Sequence, residues 1–413
     1  MNYRHKVIGE PALGKKTSIS IARYAWVILF VVFLASVAAP LNQFKVPPLM
    51  PVLMQAFQLN LSQAGMLMSV FALTGLVLAL PAGLILQKLG PKVAGLLAVG
   101  CLVVGSAWGA LATSASLLLA SRVLEGVGMG LIAVVGPASI ALWFPREQQG
   151  TAMGVWGIWV PLGNVIMLTL APLLATSLGW RAVWWAGALF ALVAFILYWL
   201  LMRLPPSLEG DQRVEPGGSG DDPSPKLALA LANRDIWLLG LEFACFNVVL
   251  IGFATFFPTF LAAVRDYSLA QAGLIASLST IAALGSAPLV GWLSNRIGSR
   301  RLFVAIPFVL VAGMMALPFH LTGWSLYALM VLLGLISVAI PIATFAAAPE
   351  VMGNPRLAGI GLAVVALGMN LGIMIGPIFF GMLVEMLGWA MAGYLLIPFC
   401  ILAFVAAWML KVR

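Results

Sequence analysis

Residues 83–92 read Gly-Leu-Ile-Leu-Gln-Lys-Leu-Gly-Pro-Lys, and residues 291–301 read Gly-Trp-Leu-Ser-Asn-Arg-Ile-Gly-Ser-Arg-Arg. A shift of 208 residues aligns the glycines and cations of the two stretches, Gly83, Lys88, Gly90 and Lys92 with Gly291, Arg296, Gly298 and Arg300. The same shift places Leu-Ser-Gln-Ala-Gly at 61–65 on Leu-Ala-Gln-Ala-Gly at 269–273. Because one shift satisfies two separate clusters, the pattern indicates a chain made of two related halves.

The composition around these stretches is typical of a membrane protein. Of the 413 residues, 62% are hydrophobic and 8% are charged, whereas a soluble domain carries about 25% charged residues. So little charge cannot cover a water-facing surface, which excludes a large aqueous catalytic domain. At about 20 residues per membrane helix, hydropathy and Gly/Pro punctuation predict twelve spans, at 24–56, 62–86, 93–113, 116–143, 150–175, 182–203, 235–263, 269–291, 302–320, 324–348, 357–384 and 390–410. The bilayer offers the backbone no outside partner, so runs this long are predicted to be helices.

The basic residues predict the orientation of the spans. With the N-terminus in the cytoplasm, only Arg181 and Arg265 fall outside, and Lys45 and Arg122 fall within spans. The other 18 of the 22 lie inside: Arg4, Lys6, Lys15, Lys16, Arg23, Lys88, Lys92, Arg146, Arg203, Arg213, Lys226, Arg234, Arg296, Arg300, Arg301, Arg356, Lys411 and Arg413. Positive charge is retained on the cytoplasmic side of membrane proteins. The sequence therefore predicts a multi-pass plasma-membrane protein with both termini in the cytoplasm.

The predicted organisation has four parts. They are a cytoplasmic tail at 1–23, a six-helix bundle at 24–203, a polar Gly/Pro-rich cytoplasmic linker at 204–234 and a second six-helix bundle at 235–413. Six spans in each half mean that both halves enter the membrane in the same sense. Such parallel repeats place a binding site near mid-membrane, between the two bundles.

The stretches at 83–92 and 291–301 resemble the repeated loop signature of the major facilitator superfamily. The resemblance covers the whole chain and implies an all-α fold of two parallel six-helix bundles that work by alternating access. It predicts a cytoplasmic gate at Gly83, Gln87, Lys88, Gly90, Lys92, Gly291, Asn295, Arg296, Gly298 and Arg300. Gln87 and Asn295 stand where the family usually has aspartate, which puts a charge-pair latch there in doubt. Positive-inside anchoring alone explains the cations but not the glycines.

Ionisable residues at membrane depth are the candidate functional residues, since such residues are costly there. Counting 1.5 Å per residue, Lys45 in the first span and Arg122 and Glu125 in the fourth can share one layer. Residues 122–130 resemble the superfamily's fourth-span motif, whose arginine is often tied to proton coupling or substrate binding. Two cations and one acid leave a local charge of +1, which favours an anion, and an arginine fork suits an oxyanion.

Four further polar residues complete the predicted site. Asn42 in the first span, Asn247 in the seventh and Asn370 in the eleventh are predicted substrate ligands, together with Lys45 and Arg122. Glu242 joins Glu125 as a predicted proton-coupling acid. Each of these residues also has a structural alternative. Glu125 would simply neutralise Lys45 or Arg122 and hold spans 1 and 4 together, Glu242 would be an interfacial packing residue, and the amides would bridge helices.

Four prolines break the first span around Lys45, at positions 40, 47, 48 and 51. Proline removes backbone donors, frees carbonyls and bends a helix. Residues 41–51 are loosely similar to the first span of the cyanate and nitroimidazole branch, and the cations in spans 1 and 4 are comparably similar to the anion:cation symporter branch.

These patterns predict a secondary transporter of a small organic anion, such as a monocarboxylate, coupled to protons or to anion exchange. A drug/proton antiporter is the alternative, although the fifth span matches that group's Gly-Pro motif poorly; a receptor or scaffold would need a larger extramembrane part. The sequence contains no nucleophile–base set, phosphate loop or metal-ligand cluster, so we expect no enzymatic activity, cofactor or metal. The expected partners are the small anion, the bilayer and protons, without nucleic acid, and the expected state is a monomer.

Overall fold

The computed structural model describes residues 13–205, 232–297, 300–353 and 357–410, and helices make up nearly all of these residues. In chain order the helices are α1 (Leu13–Phe44), α2 (Met50–Phe57), α3 (Leu61–Ala110), α4 (Ala115–Trp143), α5 (Arg146–Gly157), α6 (Trp159–Leu178), α7 (Trp180–Leu201), α8 (Arg234–Val264), α9 (Leu269–Ile297), α10 (Arg300–Met315), α11 (Trp324–Ser337), α12 (Ala339–Met352), α13 (Ala358–Tyr394) and α14 (Ile397–Trp408). A 3-10 turn, Pro47–Leu49, joins α1 to α2.

Within the described ranges, ten helical stretches are long and apolar enough to cross a bilayer. Two shorter apolar helices, Arg301–Met315 and Ile397–Trp408, occupy the ninth and twelfth predicted spans. The all-α membrane architecture is thus confirmed, with differences at helix ends. The first helix begins at Leu13 rather than at 24, and most of the predicted linker lies outside the described residues.

Two predicted loops are each reduced to one non-helical glycine that separates two helical segments, within the stretches numbered α3 and α13. Gly90 in α3 has φ 72° and Gly388 in α13 has φ 81°. Glycine adopts positive φ without the steric cost that a Cβ imposes. One glycine is therefore enough to turn the chain from the second span to the third, and from the eleventh to the twelfth.

The internal repeat extends to the backbone geometry. Gln58 and Asp266, 208 residues apart, are the two non-glycine residues with positive φ among those described, at 54° and 55°. Gly179 and Gly388 share φ/ψ values of 83°/162° and 81°/170°, and each lies just before the last span of its half. At the start of α3, the Asn60 side chain accepts from the backbone N–H of Gln63, and the Gln63 side chain accepts from the backbone N–H of Asn60. Ser268 and Gln271 make the same reciprocal pair of bonds at the start of α9. Local sequence thus encodes the same turns twice.

The two halves meet along symmetry-related helix pairs, α3 with α13 and α6 with α9. The close contacts lie at the end of the bundle where α3 and α9 begin, which we call the distal end. A methyl group on Gly65 would lie 2.7 Å from the carbonyl oxygen of Pro377, and one on Gly381 would lie 2.7 Å from that of Leu61. Gly273 likewise lies against the carbonyl of Leu168. The distal end is therefore sealed by backbone contact that side chains larger than glycine would prevent.

The opposite end of the bundle, which we call the basic end, carries the loops with Lys88, Lys92 and Arg296. A methyl group added to Gly83, Gly157, Gly285 or Gly291 in this region would meet no atom within 4 Å. At these four positions no neighbouring helix approaches as closely as at the distal end.

Candidate functional site

Lys45 lies at the centre of a buried cluster formed by α1, α3 and α4. Its Nζ donates hydrogen bonds to Glu125 Oε1 at 2.6 Å, Asn42 Oδ1 at 2.8 Å and Ser106 Oγ at 2.9 Å. These three acceptors match the three donors of an ammonium group. All four residues have 0% exposure. The charge of Lys45 is therefore satisfied entirely by protein groups.

Arg122 holds the other side of the cluster. Its guanidinium donates to Glu125 Oε2 and to the backbone carbonyl of Asn42. Nε also donates to the carbonyl of Leu67 at 3.0 Å, and Nη2 to that of Gln43 at 3.1 Å. The planar fork of an arginine can reach several acceptors at once, as an ammonium cannot. Arg122 thus joins α4 to both α1 and α3.

The prolines of the first span explain why α1 offers carbonyls to Arg122. In a continuing α-helix, the Gln43 carbonyl would accept from the amide four residues later. That residue is Pro47, which has no N–H, and α1 ends at Phe44. Arg122 donates to the carbonyl that the proline leaves free. The prediction that prolines free carbonyls beside Lys45 is confirmed, and a cation of this chain satisfies at least one of them.

Two aromatic rings complete the surroundings of the cations. Lys45 Nζ lies 4.6 Å from the ring centroid of Trp184, and Arg122 Cζ lies 4.6 Å from that of Phe71. A cation at this distance is attracted by the negative face of the ring. The rings exclude water while still stabilising positive charge.

Glycines let the helices approach closely enough to form the cluster. A methyl group on Gly105 would lie 2.8 Å from Glu125 Cγ. One on Gly187 would lie 3.1 Å from Ser106 Oγ and would also collide with Asn42 Oδ1. No larger side chain fits at either position without displacing a member of the cluster.

The cluster carries two cations and one carboxylate, a formal charge of +1, out of contact with solvent. Charges interact far more strongly in a low-dielectric interior than in water. The surplus therefore acts over a longer range than a surface charge would.

A cavity of about 130 Å³ lies between the two halves, next to the cluster. Phe44 and Pro47, on either side of Lys45 in the sequence, are part of its wall. Lys45 itself has no exposed surface and lies behind that wall. Most of the wall is apolar, and its polar side chains are Asn164, Thr255, Ser279 and Thr280.

The predicted residues of the second half lie apart from the cluster. Asn247 and Asn370 each donate to a carbonyl of their own helix, those of Phe243 and Ala366, at 2.8 and 2.9 Å. Glu242 is fully buried and accepts a hydrogen bond from Thr344 through Oε1. Its Oε2 has no hydrogen-bond partner among the described residues. The cluster thus brings together Lys45, Asn42, Arg122 and Glu125 but not these three, whose functional roles stay predictions.

The predicted gate residues lie at the basic end. Gln87 and Lys88 are exposed and Lys92 is half-buried, while the guanidinium of Arg296 lies 5.1 Å from the ring of Trp292. Gly298 and the side chains of Asn295 and Arg300 are outside the described part of the chain. Because Gly83 and Gly291 face open space in this conformation, a gating role stays a prediction.

Sequence reasoning missed Ser106, Asn164 and Thr280. Asn164 is an amide in an apolar span, the same signal that singled out Asn247 and Asn370, and could have been found. Ser106 and Thr280 carry no such signal, because hydroxyl side chains are common in membrane helices and satisfy themselves by bonding to their own helix.

A match to the family model described as Major Facilitator Superfamily extends over residues 32–366. This chain belongs to the major facilitator superfamily. It is a multi-pass membrane protein of a transporter family, and not an enzyme.

Among its relatives in the superfamily is the probable sulfoacetate transporter SauU of Cupriavidus necator, 25% identical over 87% of each chain. The probable nitrate transporter NarT of Staphylococcus carnosus is 30% identical over 37% of this chain and 40% of its own. For three of the relatives, NarT among them, the part that aligns with this chain is only 34% to 40% of the relative's own length.

Comparison with a solved structure confirms the fold of the superfamily. The solved structure is that of a bacterial homologue of the human lysosomal transporter Spinster, in an inward-facing and unoccupied conformation. The TM-score is 0.83 at 17% identity, over 94% of this chain and 96% of the other.

Proposed function

We propose that this protein is a secondary active transporter of a small organic anion, a monocarboxylate or similar oxyanion, that works by alternating access. One observation carries the proposal: the buried Lys45–Glu125–Arg122 cluster has a net charge of +1 directly behind the wall of the central cavity. Lys45 and Arg122 supply the positive potential that draws the anion into the cavity.

The physical argument concerns an unbalanced charge in a medium that screens poorly. A surface lysine is neutralised by mobile counterions within about a Debye length, but no counterion reaches a side chain with 0% exposure. The field of the cluster therefore extends into the adjoining cavity, where low-dielectric walls focus it. An anion there is stabilised and a cation is repelled.

Cavity size and relatives support the same substrate class. A cavity of about 130 Å³ is smaller than the sites of about 300–1,000 Å³ that hold drug-sized ligands. The relatives SauU and NarT are named for sulfoacetate and nitrate, which are both small oxyanions. A compact anion of this kind suits both the volume and the charge.

The proposed transport cycle uses the two ends of the bundle. If the basic end is cytoplasmic, as the positive-inside rule predicts, then the distal glycine seal closes the outer side and the structure represents an inward-facing state. Glu125 accepts from both cations, so protonation of Glu125, or its displacement by substrate, changes the charge that the anion meets. Coupling to protons through Glu125 or Glu242, or to exchange with a second anion, is part of the proposal.

Uptake of acetate, sulfoacetate and nitrate into liposomes containing the purified protein tests this function. Lys45→Met lowers the cluster charge to zero and leaves Glu125 paired with Arg122, so the fold is retained while anion uptake falls. Arg181→Met is the matched control, because it removes a cation that lies outside the cluster and bonds to the Ala112 carbonyl; it should retain uptake. Saturable uptake that is equal in Lys45→Met and wild type would contradict the proposal.

A drug/proton antiporter is the second candidate, favoured by the apolar cavity wall and by the unpartnered Oε2 of Glu242. In that case dye efflux from cells would depend on Glu242, and Glu242→Gln would abolish it while Lys45→Met would not. The reverse dependence, on Lys45 alone, favours the anion transporter.

A further inference from the structure

We infer that Asn164 of α6 and Thr280 of α9 bind the transported oxyanion directly, one residue from each half, so that the substrate replaces the hydrogen bond that now joins them. This inference rests on the proposed anion transport and names the groups that recognise the anion. The sequence analysis assigned neither residue.

The pair lies where the distal seal ends and the cavity begins. Gly273 contacts the carbonyl of Leu168 in the seal. Thr280 is seven residues, about two turns, beyond Gly273, and Asn164 is four residues, about one turn, before Leu168. Both side chains are part of the cavity wall. A ligand bound to both would therefore occupy the boundary at which the halves separate.

The hydrogen bonds of the pair leave donors available. Thr280 Oγ1 donates to Asn164 Oδ1 at 3.1 Å, a contact between the two halves. No described residue accepts a hydrogen bond from the Nδ2 group of Asn164, whose two N–H donors are thus unused in the cavity. The hydroxyl of Thr280 can rotate toward a ligand, because a hydroxyl hydrogen adjusts to its acceptor.

The other polar side chains of the wall are engaged locally. Thr255 donates to the carbonyl of Ile251 at 2.7 Å, and Ser279 donates to that of Ala276 at 3.1 Å. Each bond is internal to one helix, so neither residue links the two halves. Asn164 and Thr280 are the polar pair of this wall that joins them.

The chemistry of the donors selects the ligand class. An oxyanion offers acceptors only, and hydrogen bonds to a charged acceptor are roughly twice as strong as those between neutral groups. A cation or an apolar drug would leave the amide donors unsatisfied. The +1 cluster attracts the anion, while these two neutral side chains fix its position and bind one substrate to both moving bodies.

Proteoliposome uptake of acetate, sulfoacetate and nitrate measures the contribution of each residue. Asn164→Asp keeps the shape of the side chain but replaces its donors with a carboxylate. Thr280→Val keeps the shape but loses the hydroxyl, and Thr280→Ser restores it. Thr169→Val is the matched control, since Thr169 lies on the same helix as Asn164, is not part of the cavity wall, and bonds to the carbonyls of Val165 and Ile166.

We expect the half-saturation concentration for the transported anion to rise about tenfold or more in Asn164→Asp and in Thr280→Val. Thr280→Ser and Thr169→Val should remain near the wild-type value. Size-exclusion profiles identify any variant that fails to fold, and the serine variant reports on the hydroxyl independently of valine.

The wild-type and variant arms separate two kinds of failure. If the wild type shows no saturable uptake of any of the three anions, the proposed function is wrong, and so is this inference. If wild type transports an anion and its half-saturation concentration is unchanged in both Asn164→Asp and Thr280→Val, the inference is overturned while anion transport stands.

Discussion

Nζ of Lys45 lies 2.6 Å from Oε1 of Glu125, in an ion pair whose two side chains have no exposed surface. The same carboxylate binds Arg122 through its other oxygen. Among the described residues, Glu125 is therefore the one anion paired with both buried cations, and the cluster depends on it more than on either cation.

Glu125→Gln should be strongly destabilising. It leaves Lys45 and Arg122 buried without a counter-charge, and breaking a buried ion pair from one side costs about 3–5 kcal/mol. Adding Lys45→Met should recover part of that loss, because the double variant again carries a charge of +1. Thermal unfolding of the wild type, both single variants and the double variant gives the coupling energy between Lys45 and Glu125. If the stability losses of the two single variants simply add in the double variant, Glu125 does not compensate Lys45.

Arg122→Lys should be destabilising although it conserves the charge. Arg122 donates to Glu125 and to the carbonyls of Leu67, Asn42 and Gln43, and a lysine has three donors at one point. Each buried carbonyl left without a donor costs about 1–3 kcal/mol.

The unfolding temperature of Arg122→Lys should therefore fall well below that of the control Arg181→Lys. Arg181 makes a single described hydrogen bond, to the carbonyl of Ala112. Equal temperatures for the two variants would show that the fork of Arg122 is dispensable.

Gly105→Ala and Gly187→Ala should each lower the free energy of unfolding by about 1–3 kcal/mol, because extra atoms in a closely packed core force side chains and backbone to shift. Their added methyl groups would lie 2.8 Å from Glu125 Cγ and 3.1 Å from Ser106 Oγ. Gly154→Ala is the control, because a methyl group there meets nothing within 4 Å and alanine favours a helix. Apparent unfolding temperatures in detergent should fall for the first two and hold or rise for the third.

Glu385→Ala should weaken the distal seal. The carboxylate accepts a hydrogen bond from the backbone N–H of Ser62 at 2.9 Å, which links α13 to the start of α3 across the two halves. A negative charge at a helix N-terminus contributes about 0.3–1 kcal/mol beyond the bond itself. In Glu385→Ala the equilibrium between conformations closed and open at the distal end should therefore shift toward the open ones.

Spin labels at Ala56→Cys and Trp324→Cys, one in each half, measure that opening in a chain without its three cysteines. Their distance distribution should lengthen for Glu385→Ala, with Glu385→Gln intermediate because it keeps an acceptor but loses the charge. Identical distributions in all three chains would mean that this contact does not hold the seal.

Much of the fold was accessible from local sequence, because its causes are local. Hydropathy located the ten long apolar stretches and the two shorter apolar helices of the described residues, since a bilayer constrains the length and apolarity of a helix that crosses it. The repeat at 208 residues predicted two related halves, and Gln58 and Asp266 at equivalent positions share a positive φ. The breaks at Gly90 and Gly388 were predicted as loops, because sequence marks where a helix turns and not how few residues the turn needs.

The candidate site was accessible only in part. The scarcity of charge in the spans identified Lys45, Arg122 and Glu125, and their depth predicted a shared layer. The sequence predicted that the prolines free carbonyls, but it could not decide that Arg122 would bind the carbonyl of Gln43. Nor could it decide that Lys45 would lie behind the cavity wall and not in it. Both outcomes depend on how closely α1, α3, α4 and α7 pack at glycines.

The sequence by itself determined that this chain is a twofold-repeated helical membrane protein with two cations and one acid at a shared depth in spans 1 and 4, because length, apolarity and charge are properties of single segments. Only the tertiary structure decided which groups meet. Asn164 and Thr280 are 116 residues apart and become neighbours because two different bundles close against each other. Contacts between separate rigid bodies leave no period or spacing in the chain from which they could be predicted.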